Sequence, residues 1–207
     1  MEEHAPEQNA GDQELVAQVR RGSRIAFETL YNRYSRRIYR FLYTLAGSHQ
    51  VAEDLTHETF LRLYEKADRY APTGSFAGWL YRMARNLAIN HFRSNRRMQE
   101  AVSLEASADE EGAAQVEKQL VEPGANARDT TLSNEEKELF WKALMLLKPD
   151  YREAVMLCDV QALPHKEAAE IIACTVKALD VKLIRARDKL ALLVAELIKG
   201  NPRNEQR

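Results

Sequence analysis

The chain has 207 residues, is 45% hydrophobic and 29% charged, and carries a formal net charge of −1. That is enough apolar material for one or two modest cores. No apolar run approaches the roughly 20 residues that a membrane span needs, and the polar, acidic start "MEEHAPEQNAGDQE" is neither signal nor transit peptide, so a cytoplasmic protein without membrane insertion is expected. The near-zero net charge hides a segregation. Residues 12–98 hold 15 basic and 8 acidic side chains, residues 99–138 hold 3 and 11, and residues 139–207 hold 12 and 9. Two basic blocks flank an acidic strap, which fits a nucleic-acid partner better than the average suggests.

Strand signals are almost absent and helical spacing is pervasive. Asp12 is placed to cap a first helix through Leu15, Val16 and Val19, which Gly22-Ser23 breaks. A long second helix follows, with Phe27, Leu30, Tyr31, Tyr34, Ile38, Phe41, Leu42 and Leu45 at steps of three and four. After Gly47-Ser48 comes "AEDLTHETFLRLYEKAD", residues 52–68. Here Leu55, Thr59, Phe60 and Leu63 form one stripe, and Asp54, Glu58 and Glu65 share a different, acidic one. Pro72, Gly74 and Gly78 make 69–78 a loop.

The fourth helix, starting between Phe76 and Trp79, is the arginine-rich one. With Arg82 set at zero on a helical wheel, Asn86, Asn90, Arg93 and Arg97 all fall within about 80°, flanked by Arg85 and Arg96. No acid interrupts the run from Arg82 to Arg97. Arginine holds phosphates through its fork and asparagine reads base edges, so this face is a nucleic-acid candidate. Tyr70, Phe76, Trp79 and Tyr81 surround its start. Trp79 shares the apolar side and is expected in the core, while the loop Thr73–Phe76 beside Asn86 forms a candidate pocket for an unstacked base.

From Gln99 to about Thr131 the pattern dissolves into an acidic, alanine-rich stretch that reads as a flexible linker. Ser133 and Glu136 then form a capping box opening the next helix, and Pro149 stops it. "DYREAVMLCDV" and "PHKEAAEII" are further helices. After the turn at Ala173, Cys174 and Thr175, a last long helix runs to Ile198, with Thr175 as its cap. Val176, Leu179, Leu183, Ala186 and Leu190 should be buried, which points Lys177, Ala178, Val181, Lys182 and Arg185 outward. This is the pattern of a helix-turn-helix whose second helix enters a major groove.

Cys158 and Cys174 read as two buried thiols of a reducing compartment, since a disulfide framework or a zinc site needs more partners. His49, His57, His91 and His165 are scattered, and no metal cluster, nucleophile–base spacing or glycine-rich phosphate loop is present. An enzyme, a resident cofactor and a metal are therefore not expected.

Taken in order, these segments resemble the sigma-70 family of bacterial RNA polymerase subunits, in its small extracytoplasmic-function type. The resemblance covers about residues 12–98 and 132–198. It implies an all-α fold of two helical units: a region 2 unit at 12–98 and a region 4 helix-turn-helix unit at 132–199, joined by the linker at 99–131, with a disordered start at 1–11 and a tail at 200–207. Asp54, His57, Glu58, Leu61 and Glu65 would dock on the polymerase β′ clamp. Asn86 and Asn90 would take unstacked bases of the −10 single strand, with Arg82, Arg85, Arg93, Arg96 and Arg97 on phosphates and Phe76 beside them. Thr175, Lys177, Ala178, Val181, Lys182 and Arg185 would read the −35 duplex, and the same unit would touch the β flap. An anti-sigma factor is the usual negative partner.

The departures are His57 where the family usually has glutamine, Pro164 where it often has serine, Ala173 where the turn usually carries glycine, and Asp180 and Val181 where a cation and a hydroxyl are common. The competing reading is a stand-alone helix-turn-helix regulator of duplex DNA; it explains the C-terminal motif but not the face at 52–68.

Overall fold

The computed structural model describes residues 11–71, 74–103 and 133–199, with the backbone alone at 97–103 and 134. The described residues are helical throughout and contain no strand. The expected disordered start, the tail at 200–207 and most of the linker lie outside them.

In the N-terminal unit, α1 (Asp12–Arg20), α2 (Arg24–Ala46), α3 (His49–Lys66) and α4 (Phe76–Ser103) pack around one core, and a 3-10 turn at Ala67–Arg69 follows α3. Leu15, Leu30, Ile38, Phe41, Leu42, Phe60, Leu63 and Leu80 are its fully buried aliphatic and aromatic centre. The breaks have local causes. Gly22 and Gly47 take positive φ, which a residue without Cβ adopts freely. Ser23 and Ser48 then cap the next helices by accepting the N–H groups of Ala26 and Val51. Gly11, not Asp12, stands at the cap of α1. Asp12 lies in the first turn, where its carboxylate accepts from Arg33 and from the Tyr34 hydroxyl. Arg20 donates to the carbonyls of Ala67 and Tyr70, which ties the end of α1 to the turn before α4.

The helix α4 continues to Ser103, into the stretch read as linker, because no glycine or proline stands between Gln99 and Ser103. The C-terminal unit comprises α5 (Asn134–Leu146), α6 (Pro149–Val155), α7 (His165–Ile172) and α8 (Val176–Lys199). Ser133 and Glu136 form the reciprocal capping box. Pro149 opens α6 rather than closing α5, at the position where its missing N–H costs nothing. A π turn at Met156–Val160 extends α6.

The two units touch. The helix α6 packs on α2, and α7 packs on α4. The buried apolar cluster runs without a break from one unit into the other. Arg152 fastens the seam, donating to Leu147 O at 2.9 Å in its own unit and to Thr44 O at 3.0 Å across it. Desolvation there lowers the guanidinium pKa. The Arg40 guanidinium stands 5.7 Å from the ring centre of Trp141.

Candidate protein-docking and nucleic-acid faces

The inner face of α3 carries Leu55, Thr56, Thr59, Phe60 and Leu63, all buried. Both threonine hydroxyls donate back to carbonyls one turn earlier, at Ala52 and Leu55, so nothing polar is stranded. Asp54, His57, Leu61 and Glu65 are exposed, and Glu58 is half-buried beside Arg62, whose Nε lies 2.7 Å from its Oε1. Two large apolar side chains interrupt this acid. Leu61 is 53% and Tyr64 54% exposed, and the Tyr64 ring meets Phe27 edge-on at 5.7 Å. Tyr64 is neither acidic nor part of the buried stripe, so spacing along the sequence does not single it out. A rim of carboxylates around two exposed apolar side chains is the composition of a protein-docking surface.

On α4, Leu80, Tyr81, Ala84, Leu87 and Ala88 face the core. Arg82, Asn86, Asn90, Arg93 and Arg96 are exposed, and Arg85 is half-buried. Five of the seven arginines and asparagines singled out at 82–97 thus face solvent, while the side chain of Arg97 lies outside the described residues, as does Thr73 of the loop. Phe76 is a correction. It is 2% exposed, packed against Tyr34, Tyr70 and Trp79 with ring centres 5.2, 5.9 and 6.1 Å away. Its ring closes the core under the start of α4 and presents no face to a base. Trp79 is half-buried in the same cluster.

On α8, Leu179, Leu183 and Ala186 are buried, whereas Val176 is 41% exposed. The expectation that Val176 belongs to the buried stripe therefore fails: it is the first residue of α8 and stands largely in solvent. Thr175 caps α8 by accepting the Ala178 N–H at 3.2 Å and is itself exposed with Lys177, Ala178, Val181 and Arg185. Lys182 departs from the outward set. Its side chain is 22% exposed, and Nζ lies 3.4 Å from Asp150 Oδ2, so it leans along the unit toward α6. Asp180 is drawn the other way, its Oδ1 2.7 Å from His165 Nδ1 on α7. The turn between the helices keeps its left-handed residue: Ala173 has φ 61 and ψ 50 where glycine would be expected.

Among the described residues, Cys158 and Cys174 are free and no cluster of His, Cys, Asp and Glu is placed to hold a metal. No described helix is long and apolar enough to cross a membrane.

The Sigma-70 region 2 family model matches residues 30–98, and the Sigma-70 region 4 model matches residues 137–190. The extracytoplasmic-function (ECF) RNA polymerase sigma factor BldN of Streptomyces coelicolor is 32% identical over 184 residues, which span 88% of this chain and 66% of that protein. SigE of Mycolicibacterium smegmatis is 30% identical over 80% of this chain and 60% of its own length. The chain thus spans somewhat less than two thirds of these two relatives. SigW of Bacillus subtilis is 27% identical over 88% of this chain and 96% of its own. Among solved structures, CnrH in complex with the cytosolic domain of CnrY superposes with a TM-score of 0.60 at 22% identity, covering 90% of this chain and 99% of that one. The Bartonella quintana sigma factor RpoE, in complex with the anti-sigma factor NepR, also gives 0.60, at 24% identity over 82% and 96%.

Proposed function

Since the chain belongs to the sigma-70 family, in its extracytoplasmic-function type, we propose that it is a promoter-specific sigma factor: a protein that performs no chemistry itself but recruits core RNA polymerase to a promoter and helps open it. The observation that carries the reading is the division of faces within one unit. The outward side of α3 is acid around Leu61 and Tyr64, suited to a basic protein. The outward side of α4, one helix on, is arginine and asparagine, suited to a single strand. A stand-alone duplex binder has no use for the first of these.

In this assignment Asp54, His57, Glu58, Leu61, Tyr64 and Glu65 meet the β′ clamp. Asn86 and Asn90 take bases of the −10 strand, and Arg82, Arg85, Arg93 and Arg96 hold its phosphates. Thr175, Lys177, Ala178, Val181 and Arg185 face the −35 duplex, with Val181 suited to a thymine methyl and the cations to phosphates. The boundaries 12–98 and 132–199 serve as working limits of the two units, the C-terminal one also meeting the β flap. The negative partner is an anti-sigma factor, and the working compartment is the cytoplasm.

Reconstituted transcription tests the reading. With core polymerase, the chain should direct initiation at discrete genomic positions, mapped by sequencing transcript 5′ ends. Tight, specific duplex binding without polymerase, together with no initiation in its presence, would refute it.

A further inference from the structure

Three points on one stripe of α4 are occupied by carboxylates of the C-terminal unit. Ser75 stands just before the helix, where its hydroxyl accepts the Gly78 N–H at 2.9 Å and donates to Oε2 of Glu167 on α7. The fit is close, since a Cβ built at Gly78 would lie 2.6 Å from that oxygen. One turn on, Arg82 Nη2 lies 3.1 Å from Glu170 Oε2. Next along the stripe, Arg85 grips Glu153 with Nε at 2.5 Å and Nη2 at 3.5 Å. Positions 75, 78, 82 and 85 follow one another at steps of three and four, so they form a single face. Glu167 and Glu170 are three apart on α7 and so present the same side to it.

A carboxylate engages a guanidinium fork, or the N-terminal turn of a helix, through the same donors as a phosphate does. We propose that the acidic edge of α6 and α7 is the internal occupant of the strand-binding face. Glu153, Glu167 and Glu170 stand where backbone phosphates of the single strand would sit, so that strand and C-terminal unit compete for Arg82, Arg85 and Ser75. The proposal rests on the assignment of α4 to the −10 strand. The competition is selective. Asn86 and Asn90 remain exposed on the neighbouring stripe, so two of the phosphate holders, Arg82 and Arg85, are taken while the base readers stay open.

The occupancy is also exchangeable. The Arg82–Glu170 side chains are 48% and 50% exposed and are screened by salt. Arg85 and Glu153, at 17% and 9%, are drier and hold harder. The seam has fastenings that spare the strand face, namely Arg152 on Thr44 O and Arg40 on Trp141. Removing the acids therefore frees the arginines without removing what else joins the units.

The test is the full chain with Glu153→Gln, Glu167→Gln and Glu170→Gln together. Its affinity for a fluorescent pool of random-sequence single-stranded DNA, about twelve nucleotides long to match the site size of such grooves, is read by anisotropy at low ionic strength. The expected result is binding at least about tenfold tighter than the unaltered chain, as expected for freeing a half-buried charged pair. Amide exchange in α7 should become faster in the triple variant, and in the unaltered chain on adding the pool. With saturating core polymerase, both proteins should initiate equally.

Unchanged affinity, with both proteins initiating, overturns the competition and leaves the sigma assignment standing. Failure of both to initiate overturns the assignment itself. Glu170→Gln alone, at an exposed site that folding does not need, should tighten binding about two- to threefold. An unchanged value for that single variant also counts against the proposal.

Discussion

Ala173 offers a measurement of the turn that sets the angle between the two helices of the C-terminal motif. Its backbone lies in the left-handed region at φ 61 and ψ 50, and the N–H of the next residue, Cys174, reaches Ala169 O at 3.0 Å. A residue with a Cβ pays about 1–2 kcal/mol to sit there. Glycine pays nothing in the folded state but brings extra freedom to the unfolded chain, about 0.5–1 kcal/mol. The difference predicts that Ala173→Gly stabilises the protein by about 0.5–1 kcal/mol, a rise of about 1–4 °C in Tm for a chain of this size. Ala173→Val should do the reverse. A β-branched side chain in the left-handed region is a steric outlier, and a loss of about 1–2 kcal/mol is expected. Both variants are checked by thermal melting followed by circular dichroism at 222 nm, a wavelength dominated by helix. Each helix keeps its length, so the signal before the transition should not change. A drop in Tm for the glycine variant, or no effect of valine, would mean that residue 173 is not left-handed and that the turn has another geometry.

Four further outcomes follow. Leu61→Ala should weaken binding to core polymerase about 5- to 30-fold, equivalent to about 1–2 kcal/mol for an exposed leucine buried on docking, while Tm stays unchanged; anisotropy titration with labelled protein reads it. Asn86→Ala should lose promoter opening by permanganate footprinting yet still bind core, whereas Asp54→Arg with Glu58→Arg should lose core binding first. Burial pushes the Cys158 thiol up to about 11, so at pH 8 in the native state it stays protonated and resists iodoacetamide. Its labelling, read by mass spectrometry, should rise only as pH approaches that value or when the chain is unfolded. Ser133→Ala removes the hydroxyl that accepts the Glu136 N–H and should cost about 1 kcal/mol in denaturant unfolding.

The helices, the capping box at Ser133 and the polar side of α4 were legible because each depends on residues within one or two turns of one another. Steps of three and four place Arg82, Asn86, Asn90 and Arg93 together whatever else the chain does. The seam was not legible. Arg85 and Glu153 are 68 positions apart, and Ser75 and Glu167 are 92 apart; no local pattern pairs them. The same limit explains the local misreadings. Phe76 looked available because it follows a loop, but Tyr34 from another helix covers it. Lys182 sits at an outward angle on α8, but its long stem carries the amine sideways to Asp150. Ala173 departs from the glycine usual at the turn, yet its backbone takes the same left-handed conformation and absorbs the strain.

The helix α8 keeps its two obligations on different stripes. Leu179, Leu183 and Ala186 hold it to the rest of the unit, while Lys177, Ala178, Val181 and Arg185 lie in solvent and bear on no packing. On the proposed assignment of this outer stripe to the −35 duplex, exchange of the outer four leaves the anchor untouched, so the stability of the unit and the sequence it would read can drift independently. Duplicated copies of such a chain can diverge in target by a few surface substitutions, each close to neutral for folding, without passing through an unstable intermediate.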